Sequence, residues 1–391
     1  MRIIKRLVQL VVALAVLGVA GFLIFGPAII EKGRNQVATH DPYPVSDKAQ
    51  ALHDRLIVGD WHADTMLWKR DALERGTRGQ VDLPRLIDGG VAVQVFTAVT
   101  KSPAGQNYEG NSSDAFDNIT LLAIAQLWPL RTWQSIFERA MYQAEKLHGV
   151  AARSQGRLKV IRTRADLEAV LAARAAGEKV VGGILGVEGL HPLQGDINNL
   201  PQLFDAGHRV YGLHHFFDNE LGGSLHGFSN KGLTPFGREV VARLAEMPVV
   251  IDVAHSSPKV AREVLDMVEV PIIVSHTGLH SHCKVKRNYP DDLMRAIAAT
   301  GGVIGMGYWA DVVCGDISPD GIAKMIVAAI AAIGEDHISL GSDFDGSVGT
   351  AFDTSELPAL THALLEHGLS ETQIEKVMGG NMMRVLRARL E

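Results

Sequence analysis

Histidines and carboxylates recur at the ends of short apolar runs along this 391-residue chain. "GDWHADT" carries His62 and Asp64, "GVEG" carries Glu188, and "YGLHHFFDN" carries His214 and His215. "IDVAHSS" carries His255, "IVSH" carries His276, and "LGSDFDG" carries Asp343 and Asp345. Imidazole and carboxylate together suit a divalent cation such as zinc, with a position left open for water. His62 and Asp64 alternate on an extended chain and so point to one side. His255 and His276, from adjacent apolar runs, are placed to hold a second ion, and Glu188 lies between the two pairs in chain order. Two ions about 3.5–4 Å apart can share a hydroxide and polarise a carbonyl, which is equipment for metal-assisted hydrolysis.

Elements must bring these residues together. The apolar runs are Leu56–Gly59, Ala92–Val99, Val180–Val187, Arg209–Leu213, Val249–Val253, Ile272–Val274, Val303–Met306 and Ile338–Gly341. They are short and often β-branched, as fully buried parallel strands are. Capped helices alternate with them: Thr234-Pro235, Ser257-Pro258 and Ser318-Pro319 are N-cap and N1 pairs, and Ser370 with Gln373 is a capping box. Eight such units predict a (β/α)8 TIM-type barrel with its site at the C-terminal ends of the strands. The interval 100–178 exceeds one crossover and predicts an inserted helical segment, with helices over 114–126 and 133–148. A doubly wound sheet is the rival fold, but no G-x-G-x-x-G turn follows the first run.

Composition bounds the rest. Apolar residues are 47% and charged residues 21%, with a net charge of −6. That balance suits a large core and gives no electrostatic case for nucleic acid. Residues 1–30 differ: Arg2, Lys5 and Arg6 precede an uncharged run from Leu7 to Ile30. The run exceeds the roughly 20 residues that span a bilayer. It reads as a single N-terminal transmembrane signal anchor, with the charges favouring an inward N-terminus and Lys32 and Arg34 weakening that bias. A cleaved signal peptide is the alternative. Residues 31–50 read as a polar tether and 51–391 as the hydrolase barrel, membrane-anchored and exported to a periplasmic or extracellular space.

As a set, "HAD" (62–64), "GVEG" (186–189), "DVAHSS" (252–257), "SHTG" (275–278), "KRNYPDD" (286–292) and "GSDFDG" (341–346) resemble the membrane dipeptidase (renal dipeptidase) family of the amidohydrolase superfamily, in its bacterial-type branch. The resemblance covers roughly residues 50–390. It implies a zinc-dependent hydrolase with two Zn2+ per chain, one on His62, Asp64 and Glu188 and the other on Glu188, His255 and His276. It implies Asp343 as the proton-handling catalytic aspartate, His215 as the histidine at the substrate's reacting centre, and Arg287 as the clamp on the substrate's terminal carboxylate. His214 is the competing candidate for the place of His215. The implied substrates are dipeptides, including those with a D-residue at the second position. Another binuclear amidohydrolase activity, on a lactam, N-acyl-amino acid or ester, is the alternative. A catalytically silent binding protein would lack a ligand, and none is missing.

Trp61 replaces a common Gly before the first metal histidine, which predicts a narrower mouth. The resemblance also implies a disulfide between Cys283 and Cys314, with two buried free thiols as the alternative. His191 and His226 are expected as loop residues near the mouth, and Asp345 and Gly346 as turn-formers. His280 and His282 are expected on the loop over the mouth. His40, His53, His148, His208, His337, His362 and His367 are expected as surface or helix residues. Oligomeric state stays open, a homodimer included.

Overall fold

The computed structural model describes residues 1–391. Nine strands occur in order: β1 (Val58–Ala63), β2 (Val91–Val99), β3 (Leu158–Val160), β4 (Val181–Glu188), β5 (His208–Gly212), β6 (Val250–Asp252), β7 (Ile272–Thr277), β8 (Val303–Met306) and β9 (Ile338–Leu340). All pairings between them are parallel. β1 pairs with both β2 and β9, and β2 pairs with β4, so eight strands close into a barrel. β3 stands outside the ring. It pairs with Val181–Gly183 of β4, on the edge that β5 occupies further along.

Adjacent strand residues point to opposite faces, and the core divides accordingly. Tyr211, Ile251, Ile272 and Ile304 join the cluster that includes Leu244, Leu293, Ile297, Ile322 and Ile326 of the surrounding helices. Val210, Val250, Ile273 and Val303 join Val93, Val95 and Trp61 in a second cluster with Met382, Val385 and Leu386 of the last helix, Asn381–Arg389. Trp61 is fully buried in that cluster. It does not narrow the mouth, as its position before His62 suggested.

The predicted caps form: Thr234, Ser257, Ser318 and Ser370 each accept from the backbone N–H three residues on. Five helices precede β3: α1 (Arg2–Arg34), α2 (Asp47–His53), α3 (Leu83–Asp88), α4 (Asn118–Ala125) and α5 (Ile136–Arg153). The inserted segment contains α4 and α5, together with β3. α1 continues past the apolar run, and the stretch after it is not a free tether. Glu31 is buried between Arg70 Nε and Arg78 Nε, each at 2.6 Å. Asn35 Oδ1 accepts from Ser347 N at 2.9 Å, and Ala38 N donates to Thr350 O at 2.8 Å. Of the histidines expected as surface or helix residues, His208 departs, being buried in β5 against Gly186 O, while His53 ends helix α2, buried between Thr361 and Gly89 O.

Candidate active site

β1 and β7 run further than their apolar residues indicated. They carry His62 and His276 inside the strands, while Glu188 is the last residue of β4. His215, His255 and Asp343 stand three residues beyond β5, β6 and β9. All converge at the C-terminal end of the barrel. Glu188 Oε1 lies 3.5 Å from His62 Nε2, 3.2 Å from His255 Nε2 and 3.4 Å from His276 Nε2. Its Oε2 lies 3.2 Å from His215 Nε2. His62 Nε2 is also 3.4 Å from Asp64 Oδ1 and 3.7 Å from Asp343 Oδ1. Every one of these residues is buried.

Backbone networks hold them there. Asp60 accepts from His62 N (2.9 Å), Gln94 Nε2 (3.1 Å) and Ser342 N (3.0 Å), which ties β1 to the loop carrying Asp343. Asp252 accepts from Ala254 N and Ser275 N, each at 2.9 Å, linking the His255 loop to the His276 strand. Thr97 donates its hydroxyl to Asp64. Gly346 is required for space: a Cβ there would meet Asp343 Oδ1 at 2.1 Å. His255 (φ 61°) and Asp343 (φ 59°) both adopt the left-handed region. Such strain costs on the order of 1–3 kcal/mol per residue and gathers at functional sites.

The electrostatics favour a cation. Burial alone would depress His62, but Glu188, Asp64 and Asp343 outweigh it and push it up to about 10. Glu188 is raised by burial and by Asp64. Asp343 is raised to about 7 by burial, against the pull of His62 and with the push of Asp64. Neither nitrogen of His62 has a hydrogen-bond partner, nor has His255 Nδ1. His255 Nε2 and His276 Nε2 face each other at 2.9 Å. Their ligand atoms form three sets: His62, Asp64 and Glu188; Glu188, His215 and His255; and His62, His276 and Asp343. The orphaned His62 Nε2 facing three carboxylates, with His255 and His276 also turned to Glu188, fits divalent metal.

The predicted residues therefore meet at one point, and the structure adds others. His215 stands in the site, whereas His214 turns away to Ser256 Oγ at 3.0 Å. Arg287 is buried, with Nη2 donating to His276 O at 2.8 Å and Nε left without a partner. Tyr289 holds the segment bearing it by donating to Val253 O at 2.6 Å. Cys283 and Cys314 form a disulfide with a Cα separation of 5.3 Å, bridging the loops after β7 and β8. Trp309 donates to Tyr108 Oη at 2.9 Å, and His226 stacks on Phe216 beside His255. Tyr108 and Trp309 carry no spacing signal in the sequence, whereas His226 stands near the mouth, as expected. Asp345 is both a turn residue (φ 62°) and a buried acceptor for Arg70, Thr65 Oγ1 and Gln80 N. His191 is bonded to Thr100 Oγ1, while His280 is half-buried and His282 exposed.

The family model described as membrane dipeptidase, peptidase family M19, matches residues 46–390. The chain belongs to the membrane dipeptidase family. Dipeptidase aclJ of Aspergillus oryzae is 32% identical over 360 residues, covering 85% of this chain and 78% of that protein. Dipeptidase tcpJ of Claviceps purpurea is 27% identical over 323 residues, covering 79% and 69%. The barrel is shared with the probable dipeptidase PvdM of Pseudomonas aeruginosa, at TM-score 0.72 and 19% identity, over 87% of this chain and 97% of that one. A metallo peptidase of Rhodobacter sphaeroides, solved with a phosphinate mimic of L-Ala-D-Ala, gives 0.69 at 23% identity, over 85% and 99%. At these identities the two structures bear on the fold. As a membrane dipeptidase family member, the chain is a metal-dependent dipeptidase.

Proposed function

We propose that the site takes two zinc ions, one on His62, Asp64 and Glu188 and one on Glu188, His255 and His276, and hydrolyses dipeptides bound by their C-terminal carboxylate. The observation that carries this is the convergence of three imidazoles and a fourth from His215 on the single buried carboxylate of Glu188. The pair of ions, when bound, supplies an activated water and polarises the scissile carbonyl.

The chain's own groups do the rest. Arg287 presents its unpartnered Nε–H to the substrate carboxylate, and a guanidinium binds a carboxylate bidentately. Asp343 takes the proton of the attacking water and returns it to the leaving amine, and its raised pKa suits both transfers. Both groups near His215 are acceptors, Glu188 at Nε2 and Lys101 O at Nδ1, 3.3 Å away. Burial holds the ring neutral by lowering it to about 4. With its single proton moved from the Lys101 O side to Nε2, a tautomer that gives up the Nδ1 bond, the ring donates into the site and steadies the tetrahedral oxyanion.

The apolar helix α1 anchors the domain, and Arg2, Lys5 and Arg6 favour export of the barrel. The Cys283–Cys314 bond supports an oxidising compartment. The test is metal content together with hydrolysis of L,L- and L,D-dipeptides, before and after chelation. Two zincs and chelator-sensitive dipeptide turnover are expected. Two zincs with turnover only of a lactam, N-acyl-amino acid or ester would move the reaction to that class.

A further inference from the structure

The uncharged part of α1 runs from Leu7 to Ile30, but not all of it is free to cross a bilayer. Residues 1–20 are exposed throughout, whereas Gly26, Pro27 and Glu31 are buried and Gly21, Leu23 and Ala28 partly so. That C-terminal half of α1 packs on α4. The uncharged length clear of the domain, Leu7 to Ala20, rises only about 21 Å at 1.5 Å per residue. A hydrocarbon core is about 30 Å thick. The remaining ~9 Å must come from residues 21–26, the start of the half of α1 that packs on α4. α4 therefore sits close to the depth that they reach.

α4 is dressed for that depth. Its sequence, "NITLLAIA", is apolar on most sides, with Ile119, Leu122 and Ala123 buried and Leu121 56% exposed. The flanking Phe116, Leu127 and Leu130 are 57%, 58% and 74% exposed. After α1, seven large hydrophobics are exposed, and four of them fall within these fifteen residues. Lone exposed apolar residues need no explanation, but a cluster beside an anchor helix does. Lys32 and Arg34 in the last turn of α1 are exposed, as suits the headgroup level.

We propose that the inserted segment around α4 is a second membrane contact: Phe116, Leu121, Leu127 and Leu130 enter the acyl–headgroup boundary beside α1. The inference rests on the reading of α1 as a retained anchor. Both attachments, α4 after β2 and the docked stretch 31–38 against the loop after β9, leave from the end of the barrel that carries Glu188 and Asp343. The mouth therefore opens beside the bilayer.

The full chain, reconstituted in phosphatidylcholine–phosphatidylglycerol vesicles, tests this. Single variants Leu121→Cys and Leu130→Cys carry an environment-sensitive fluorophore, with Val12→Cys in α1 and the exposed Lys159→Cys of β3 as references. Dipeptide turnover of each variant reports that it is folded. Nitroxides on the lipid chains should quench positions 121 and 130 at least twofold more than position 159, with blue-shifted emission. Quenching at 12 but none beyond the level of 159 at 121 and 130 would overturn the contact and leave the anchor standing. Blue-shifted emission without lipid quenching would assign the patch to a protein partner and also overturn it. No quenching at position 12 would remove the anchor reading itself, and the inference with it.

Discussion

Replacing Glu31 by Ala should loosen the joint between anchor and barrel by a measurable amount. Glu31 is 1% exposed and bonds Arg70 and Arg78. Arg70 has a side chain only 5% exposed and keeps Asp345 and Val81 O when Glu31 is lost. Breaking a buried pair costs about 3–5 kcal/mol when one charge is left alone. With Asp345 still facing Arg70 and Arg78 partly solvated, about 2–3 kcal/mol is the appropriate scale. A barrel of this size unfolds with an entropy near 0.7 kcal/mol/K, so Tm should fall by about 3–4 °C. The assay is thermal unfolding of the full chain in detergent for Glu31→Ala, Arg70→Ala and the double variant, at fixed metal. The double-mutant coupling should exceed about 1 kcal/mol, as contacting charges give. A Tm within 1 °C of the parent, with coupling near zero, would refute the docked joint and restore a free tether after residue 30.

Other outcomes follow from the site and the core. Asp343→Asn should keep both metals and lose roughly 100- to 10,000-fold in kcat, the range of a lost general acid–base; metal analysis showing a depleted site would make Asp343 a ligand instead. Arg287→Ala should cost about 2–3 kcal/mol, or roughly 30- to 150-fold in kcat/KM, for dipeptides. It should spare the corresponding dipeptide amide, and equal losses on both would end its clamp role. His208, buried in β5, is lowered to about 4 by burial. Its folded pKa lies below the unfolded value near 6.5, so the unfolded chain gains the proton first. Stability should fall as pH drops from 6.5 to about 4, by about 3 kcal/mol from this group. His208→Asn, which keeps a donor for Gly186 O, should flatten that limb of a urea-unfolding series, and an unchanged slope would exclude the assignment.

The ring of strands and its metal-capable ends were legible because buried parallel strands are short apolar runs and a barrel collects residues at their C-terminal ends. Strand limits were less so. His62 and His276 are polar residues inside β1 and β7, and polarity there reads as an end. β3 passed unseen because it is three residues long, with Leu158 buried and Lys159 exposed. Glu31 looked like the polar start of a tether because its partners, Arg70 and Arg78, lie 39 and 47 residues away. Asp60 and Asp252 organise the site through backbone N–H groups, and nothing in their spacing distinguishes that from a turn. Tyr108 and Trp309 arrive from separate loops, where no periodicity applies.

The central claim is that Glu188 is shared between two metal ions, and anomalous diffraction at the zinc edge from crystals of the zinc-loaded protein tests it most directly. Two peaks should flank the Glu188 carboxylate, one by His62 and Asp64 and the other by His255 and His276. A single peak, or two that do not both contact Glu188, would contradict the account.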